Sequence, residues 1–303
     1  MSLRSFVAIE HLSRSCKIDI DTKANKRRIY MGPPKLDVIG PWSEVKLDII
    51  KRYAVAYSQI LSNQKNLTHA YIDAFAGAGY HLSKTTGEMV PGSPLNALLV
   101  QPPFPEFHLI DLDGDKIVGL RGLVGNRHDV HFYHGNCNQV LLDEVFPKVL
   151  FRDFKRGLCL LDPYKLTLDW KVIQQAASMQ SLDIFINFPI HDINRAVLHR
   201  DPVGVSEASV GRLTAYWGDE SWREVAYDRN LDLFGEVDLE KVSNPRFAEA
   251  SRQRLQRVAG FKRVPQPLAM RNKNRSTVYY LFFASHKDTA ENIVAHIFNK
   301  FGS

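Results

Sequence analysis

Four short segments carry residues whose types and spacing could do chemistry. The first is Asp73-Ala74-Phe75-Ala76-Gly77-Ala78-Gly79, after a run of strand character. Gly77 and Gly79 would let a ligand lie against the backbone without meeting a Cβ. This nominates Asp73, Phe75, Gly77 and Gly79 as cofactor contacts. A dinucleotide fingerprint needs a third glycine for close helix packing, and the residue at that offset is Leu82. A dinucleotide is therefore disfavoured, whereas a cofactor without phosphate needs no such cradle. A tight turn that only closes a strand is the plain alternative.

The second segment ends in Asp111, after Phe107-His108-Leu109-Ile110. A carboxylate there can accept from both hydroxyls of a ribose, with Leu112 against an adenine. Asp113 and Asp115 compete for the role, but helix capping accounts for both better. The third is Gly135-Asn136-Cys137, where Asn136 could bond an adenine amino group and Cys137 could line the pocket. An ordinary turn containing Asn is the simpler account. The fourth is Asp162-Pro163-Tyr164, directly after the apolar run Gly157–Leu161. There a carboxylate and a proline-fixed carbonyl could hold a planar amine while the tyrosine stacks on a base. Ligands of open parallel sheets gather at the carboxyl ends of strands. Four such features in order, at four successive strand ends, weigh more than any one. Other constellations fail. There is no P-loop and no Gly-x-Ser-x-Gly elbow. His191-Asp192 reads better as a loop than as an acid–base pair. Trp217 and Trp222 read better as local core than as a stacking lid.

The elements that would position these residues follow from periodicity. Ser43 reads as an N-cap, and Leu47, Ile50, Tyr53, Ala54, Tyr57, Ile60 and Leu61 recur at helical spacing to about Ser62. Strands are expected at 70–76, 106–111, 129–134, 157–161 and 182–188. Helices are expected between them, near 94–100, 113–124, 138–150 and 168–179, with Ser93 and Asp113 as caps. Tyr80–Gly92 reads as a loop. Strands alternating with helices specify a parallel sheet covered on both faces. Past Pro189 the alternation stops, and about 191–244 reads as a helical insertion before a helix at 246–259. The runs 268–271 and 277–285 form a hairpin, which must be antiparallel, and Asp288 caps a last helix ending near Phe301. The expectation is an α/β, Rossmann-like fold. Its mostly parallel seven-stranded sheet ends in a C-terminal antiparallel hairpin strand. Residues 1–41 read as an N-terminal extension and 42–303 as one domain.

Composition sets the outer bounds. The chain has 303 residues, 45% hydrophobic and 24% charged, which excludes disordered and coiled-coil classes. No apolar run approaches the roughly 20 residues of a membrane span, and no signal-peptide core is visible. Cys16, Cys137 and Cys159 make no disulfide framework and no metal-ligand pattern, so a reduced, cytoplasmic protein without metal is expected. A net charge of +6 fits either a polyanionic partner or a slightly basic enzyme. Candidate phosphate contacts are Lys23, Lys26, Arg27, Arg28, Arg271, Lys273 and Arg275.

The order of elements is that of class I methyltransferases using S-adenosylmethionine. The segment Asp73–Gly79 resembles the glycine motif of enzymes that methylate exocyclic amines of nucleic-acid bases. Asp162-Pro163-Tyr164 resembles their Asp/Asn-Pro-Pro-aromatic motif with one proline missing. It also resembles the shorter form in some tRNA guanine-N2 methyltransferases, with Lys165 where those have glycine. A broader resemblance, from Trp42 onward, is to the three-Cys-motif partner protein family. It is carried by Trp42-Ser43…Lys46, Tyr71–Gly79, Gly92-Ser93-Pro94, Leu161–Tyr164 and Tyr280–Ser285. These resemblances imply methyl transfer from S-adenosylmethionine to an amine, with a nucleic-acid base as the acceptor. They also imply a separate partner protein carrying the three-Cys motif. The rivals are a methyltransferase-fold scaffold without activity and an enzyme acting on a protein or small molecule.

Overall fold

The computed structural model describes residues 36–198, 205–231 and 237–302. Cys16 and the basic cluster Lys23, Lys26, Arg27 and Arg28 lie outside them. The strands of the main sheet are β2 (Thr68–Asp73), β5 (Glu106–Asp111), β6 (Val130–His134), β7 (Lys155–Leu161), β8 (Leu182–Phe188), β11 (Leu268–Arg271) and β12 (Thr277–Ala284). Their order is β11-β12-β8-β7-β2-β5-β6. β6, β5, β2, β7 and β8 run parallel, while β12 is antiparallel to both β8 and β11. This is the expected seven-stranded sheet with its reversed strand.

The strands are apolar on both sides because both faces are covered. In β7, Leu158 and Leu160 face one core while Cys159 and Leu161 face the other. The first core is closed by α1 (Pro41–Ser62), α2 (Ser93–Leu98) and α10 (Asp288–Phe301). α1 buries Ile49, Ile50, Tyr53, Ala54 and Tyr57 along one face, the stripe expected of an amphipathic helix. The second core takes α5 (Trp170–Met179) and the segment after β8.

Several local expectations are corrected. α1 is capped by extended Gly40, with Pro41 at its first turn, so Ser43 lies inside the helix. Gly92 precedes α2, and Ser93 is its first residue; likewise Lys287 precedes α10, and Asp288 is its first residue rather than its cap. The expected helix at 138–150 breaks into α4 (Cys137–Val140), a π turn at Leu141–Val145 and a 3-10 turn at Phe146–Lys148. Pro147 has no N–H to continue the ladder. Tyr80–Gly92 is not a loop. It forms the hairpin β3 (Tyr80–Ser83) and β4 (Met89–Pro91), and β1 (Asp37–Ile39) pairs with β3 in parallel. The last residues of the expected extension thus pack on the main body, and the Lys116 Nζ–Asp37 ion pair at 2.6 Å helps to fix them.

The segment after β8 holds α6 (Ile190–Ala196), α7 (Glu207–Trp217) and α8 (Trp222–Ala226). It also holds an antiparallel pair, β9 (Tyr227–Leu231) with β10 (Val237–Lys241), so it is not wholly helical. α9 (Asn244–Arg254) follows. Trp217 and Trp222 are buried, and Trp217 stacks on Phe247. The Arg254 guanidinium bonds the Trp217 carbonyl and the Asp219 carboxylate, tying α9 to α7. Among the described residues no helix is long and apolar enough to cross a membrane.

Candidate functional site

β2 sits where the strand order reverses, with β5 on one side and β7 on the other. Such a switch point opens a crevice at the carboxyl edge of a parallel sheet. The backbone leaving β2 is held to both neighbours: Ala74 N–H donates to the Leu160 carbonyl at 3.1 Å and Ala76 N–H to the Ile110 carbonyl at 2.8 Å. Gly77 and Gly79 then adopt φ of +65° and +93°, a region costly for any residue with a Cβ. Among the described residues a Cβ on Gly77 would meet nothing within 4 Å, so open space faces that turn. A Cβ on Gly79 would press on Leu120 and Leu123 at 3.0 and 3.1 Å. Gly77 therefore supplies approach, and Gly79 supplies packing. Gly92 N–H bonds the Gly79 carbonyl at 2.7 Å, so the β3–β4 hairpin closes the far end of this turn.

Asp111 ends β5 beside the turn. Its Oδ2 accepts the Gly77 N–H at 2.8 Å, and its Oδ1 accepts the Asp113 N–H at 2.9 Å. Each oxygen keeps a second lone pair for another donor. Leu112, next in sequence, is 72% exposed. Asp113 caps α3 (Gly114–Val124), as expected, by accepting from the Asp115 and Lys116 amides. Asp73 is fully buried. Its Oδ1 accepts the Phe75 N–H at 3.2 Å, and Tyr71 donates to Oδ2 at 3.3 Å. Burial pushes its pKa up to about 6, and the nearby Asp162 charge adds to this against hydrogen bonds from Ser93, Phe75 and Tyr71.

Asn136 is the N-cap of α4, its side chain accepting the Asn138 N–H at 2.9 Å. That is the simpler role weighed from sequence, and the oxygen retains one acceptor site. Cys137 is buried, which pushes its thiol up to about 12 and makes it a poor nucleophile. Asn138, which the sequence reading passed over, bridges to the next loop by donating to the Thr167 carbonyl and accepting the Asp169 N–H, both at 2.9 Å.

Asp162 follows β7. Pro163 is buried beneath it, and Tyr164 is 75% exposed with Lys165 Nζ 5.2 Å from its ring centroid. Asp162 is not free. Its Oδ2 is paired with Lys46 of α1, and its Oδ1 accepts Asn187 Nδ2 at 2.7 Å. Lys46 is buried and lies over the Tyr279 ring at 5.5 Å. Neither Lys46 as the partner of Asp162 nor Asn187 was identified from sequence. Two signals were present: a lysine on the apolar stripe of α1, and an asparagine inside the buried run Leu182–Phe188. His191 and Asp192 lie in the first turn of α6, and no hydrogen bond joins them among the described residues.

The strand order and reversed strand, with a glycine turn at the switch point and carboxylates at adjoining strand ends, define a Rossmann-like class I methyltransferase fold. No family model and no curated protein matches the sequence, so the likeness to the three-Cys-motif partner family rests on its motifs. Solved structures are similar at low identity. One is protein LPL1258 from Legionella pneumophila str. Philadelphia 1, 12% identical over 84% of this chain and 91% of that one, with TM-score 0.46. Another is the N-methyltransferase NodS from Bradyrhizobium japonicum WM9 in complex with S-adenosyl-L-homocysteine. It is 10% identical over 92% of this chain and 98% of that one, with TM-score 0.38. Likeness at this level carries no weight for the chemistry, and the fold stands on its own strand order.

Proposed function

We propose that this chain is an S-adenosylmethionine-dependent methyltransferase acting on an exocyclic amine, with a nucleic-acid base as the acceptor. The observation that carries this reading is the bond from Gly77 N–H to the Asp111 carboxylate at the sheet's switch point. It holds an acceptor pair beside a turn whose positive φ and open front admit a ligand. The residues fit the cofactor. Asp111 would take the ribose hydroxyls, Leu112 would cover the adenine, and Gly77 and Gly79 would pass close to the amino-acid portion. Phe75, Asn136 and Cys137 would complete the walls, with Asp73 fixing the turn from behind. When bound, the cofactor supplies an electrophilic methyl group on a sulfonium.

The remaining task for the protein is positioning, since in-line displacement needs no strong base. Asp162 would accept an N–H of the amine through the lone pairs that Lys46 and Asn187 leave open, directing the nitrogen lone pair. Pro163 fixes the loop and Tyr164 offers its exposed face to a flipped or single-stranded base. Arg271, Lys273 and Arg275 surround the tip joining β11 to β12, all exposed and without an ion pair among the described residues. Because β12 is reversed, that tip stands at the same edge as Asp162, where phosphates of a bound strand would pass.

Calorimetric titration with S-adenosylmethionine and S-adenosylhomocysteine is the first test. Micromolar binding weakened at least about tenfold by Asp111→Ala is expected; an absence of heat at millimolar ligand would refute the cofactor site. Methyl transfer from labelled cofactor to RNA or DNA, lost in Asp162→Ala, would then test the acceptor. A second reading, a scaffold for a partner protein carrying the three-Cys motif, is favoured by one observation: Asp162 is already engaged by Lys46 and Asn187. Cofactor binding without transfer to nucleic acid, protein or small-molecule amines would select it.

A further inference from the structure

We infer that the cavity at the amino edge of the sheet, opposite the methyl-transfer edge, is a second binding site, for a small planar aromatic carboxylate. The cavity of about 280 Å³ lies between α1, α10 and the starts of β7 and β8. That is close to the lower end, about 300 Å³, of small-molecule sites. Tyr53, Tyr57, Ile60, Leu61, Leu67 and Ile293 give it apolar and aromatic wall, and Gln64, Gln180, Ser181, His286 and Thr289 add neutral polar groups.

The charges on this cavity select the head group. Arg156 and Lys287 both line it and both lie over the ring of Phe151, at 3.8 and 5.7 Å from its centroid. Among the described residues neither has a carboxylate within 4 Å. Among the described residues the Arg156 guanidinium bonds only the backbone carbonyls of Phe151 and Lys155. The one carboxylate on the wall among the described residues, Asp183, is already capped by two hydroxyls: Tyr53 donates to Oδ2 at 2.7 Å and Ser285 to Oδ1 at 2.5 Å. Burial raises its pKa, against the two hydroxyls and the nearby Lys287 charge. Two unpaired cations at the rim of an aromatic slot are the complement of a flat body with an anionic head.

Three probes that share one ring system test this: 2-naphthoate, the neutral 2-naphthylmethanol and the cationic 2-naphthylmethylammonium, each titrated by fluorescence and calorimetry. Naphthoate is expected to bind at least about tenfold tighter than the alcohol, with the amine weakest. Arg156→Gln and Lys287→Gln should each remove most of the naphthoate advantage while leaving the alcohol's affinity unchanged, which also reports that the cavity is intact. Asp111→Ala, at the other edge of the sheet, should change nothing. Equal binding of naphthoate and alcohol, preference for the amine, insensitivity to both cation substitutions, or loss in Asp111→Ala would each overturn the assignment. The cofactor titration has a separate readout, so the two proposals fail independently.

Discussion

At the scale of single residues, the Lys46–Asp162 pair ties the loop after β7 to α1. A buried cation loses its hydration and is held by its partner, so removing one member leaves the other unpaired in a poorly hydrated place. Lys46→Met is expected to destabilise the fold by about 3 kcal/mol or more, and Lys46→Met with Asp162→Asn should cost less than the two single changes summed. Urea denaturation of the four proteins in that cycle measures it; strict additivity would show that the pair is not coupled. Asp73 gives a pH signature. Its pKa stands near 6 in the folded chain against 3.8 as the reference value. A carboxyl whose pKa rises on folding takes up protons as it folds. Its contribution to stability is complete below about pH 4 and is lost as the pH climbs through about 6, on the order of 3 kcal/mol in full. Asp73→Asn should flatten stability between these values. An unchanged fall in the urea midpoint from pH 4 to 7 would assign the titration to another group.

At the scale of elements, the β1–β3–β4 sheet buttresses the glycine turn. Asp37, Val38 and Ile39 pair with His81, Leu82 and Ser83, and the Lys84 N–H bonds the Ile39 carbonyl at 2.8 Å. The hairpin in turn holds the Gly79 carbonyl through Gly92. A chain beginning at residue 41 should therefore melt several degrees below one beginning at residue 36 and bind cofactor more weakly. Equal melting temperatures and affinities would make β1 dispensable. Sequence alone placed 37–39 outside the domain because three residues of strand have no period of their own. Tyr80–Ser83 likewise mixes polar and apolar residues, and its partners are distant or sit beyond a turn.

At the scale of the whole molecule, the sheet separates a carboxyl edge from an amino edge. The carboxyl edge carries the Asp111 and Asp162 carboxylates flanked by the basic tip of the β11–β12 hairpin. Changing Arg271, Lys273 and Arg275 to alanine together should lower the dependence of log affinity for duplex DNA or RNA on log salt by about 3. Filter binding across a salt series reads this directly. A slope unchanged by the triple substitution would remove the hairpin from any nucleic-acid path and favour a protein or small-molecule acceptor.

The apolar runs Gly157–Leu161 and Leu182–Phe188, the spacing of α1 and the hairpin at the end were legible because each is a local pattern set by burial on one or two faces. So were the glycine turn and the carboxylates that end β2, β5 and β7, since strand ends are marked by where apolar runs stop. Sequence could not show that Lys46 reaches Asp162, 116 residues away, or that Asn187 completes the clamp. It could not show that Asn136 spends its side chain on a helix cap, or that Arg156 and Lys287 meet over one phenyl ring. Those are pairings between residues distant in the chain or alternatives of equal local merit. Only the closing of helices onto both sheet faces, which brings such groups together and takes water from between them, decided which contacts form.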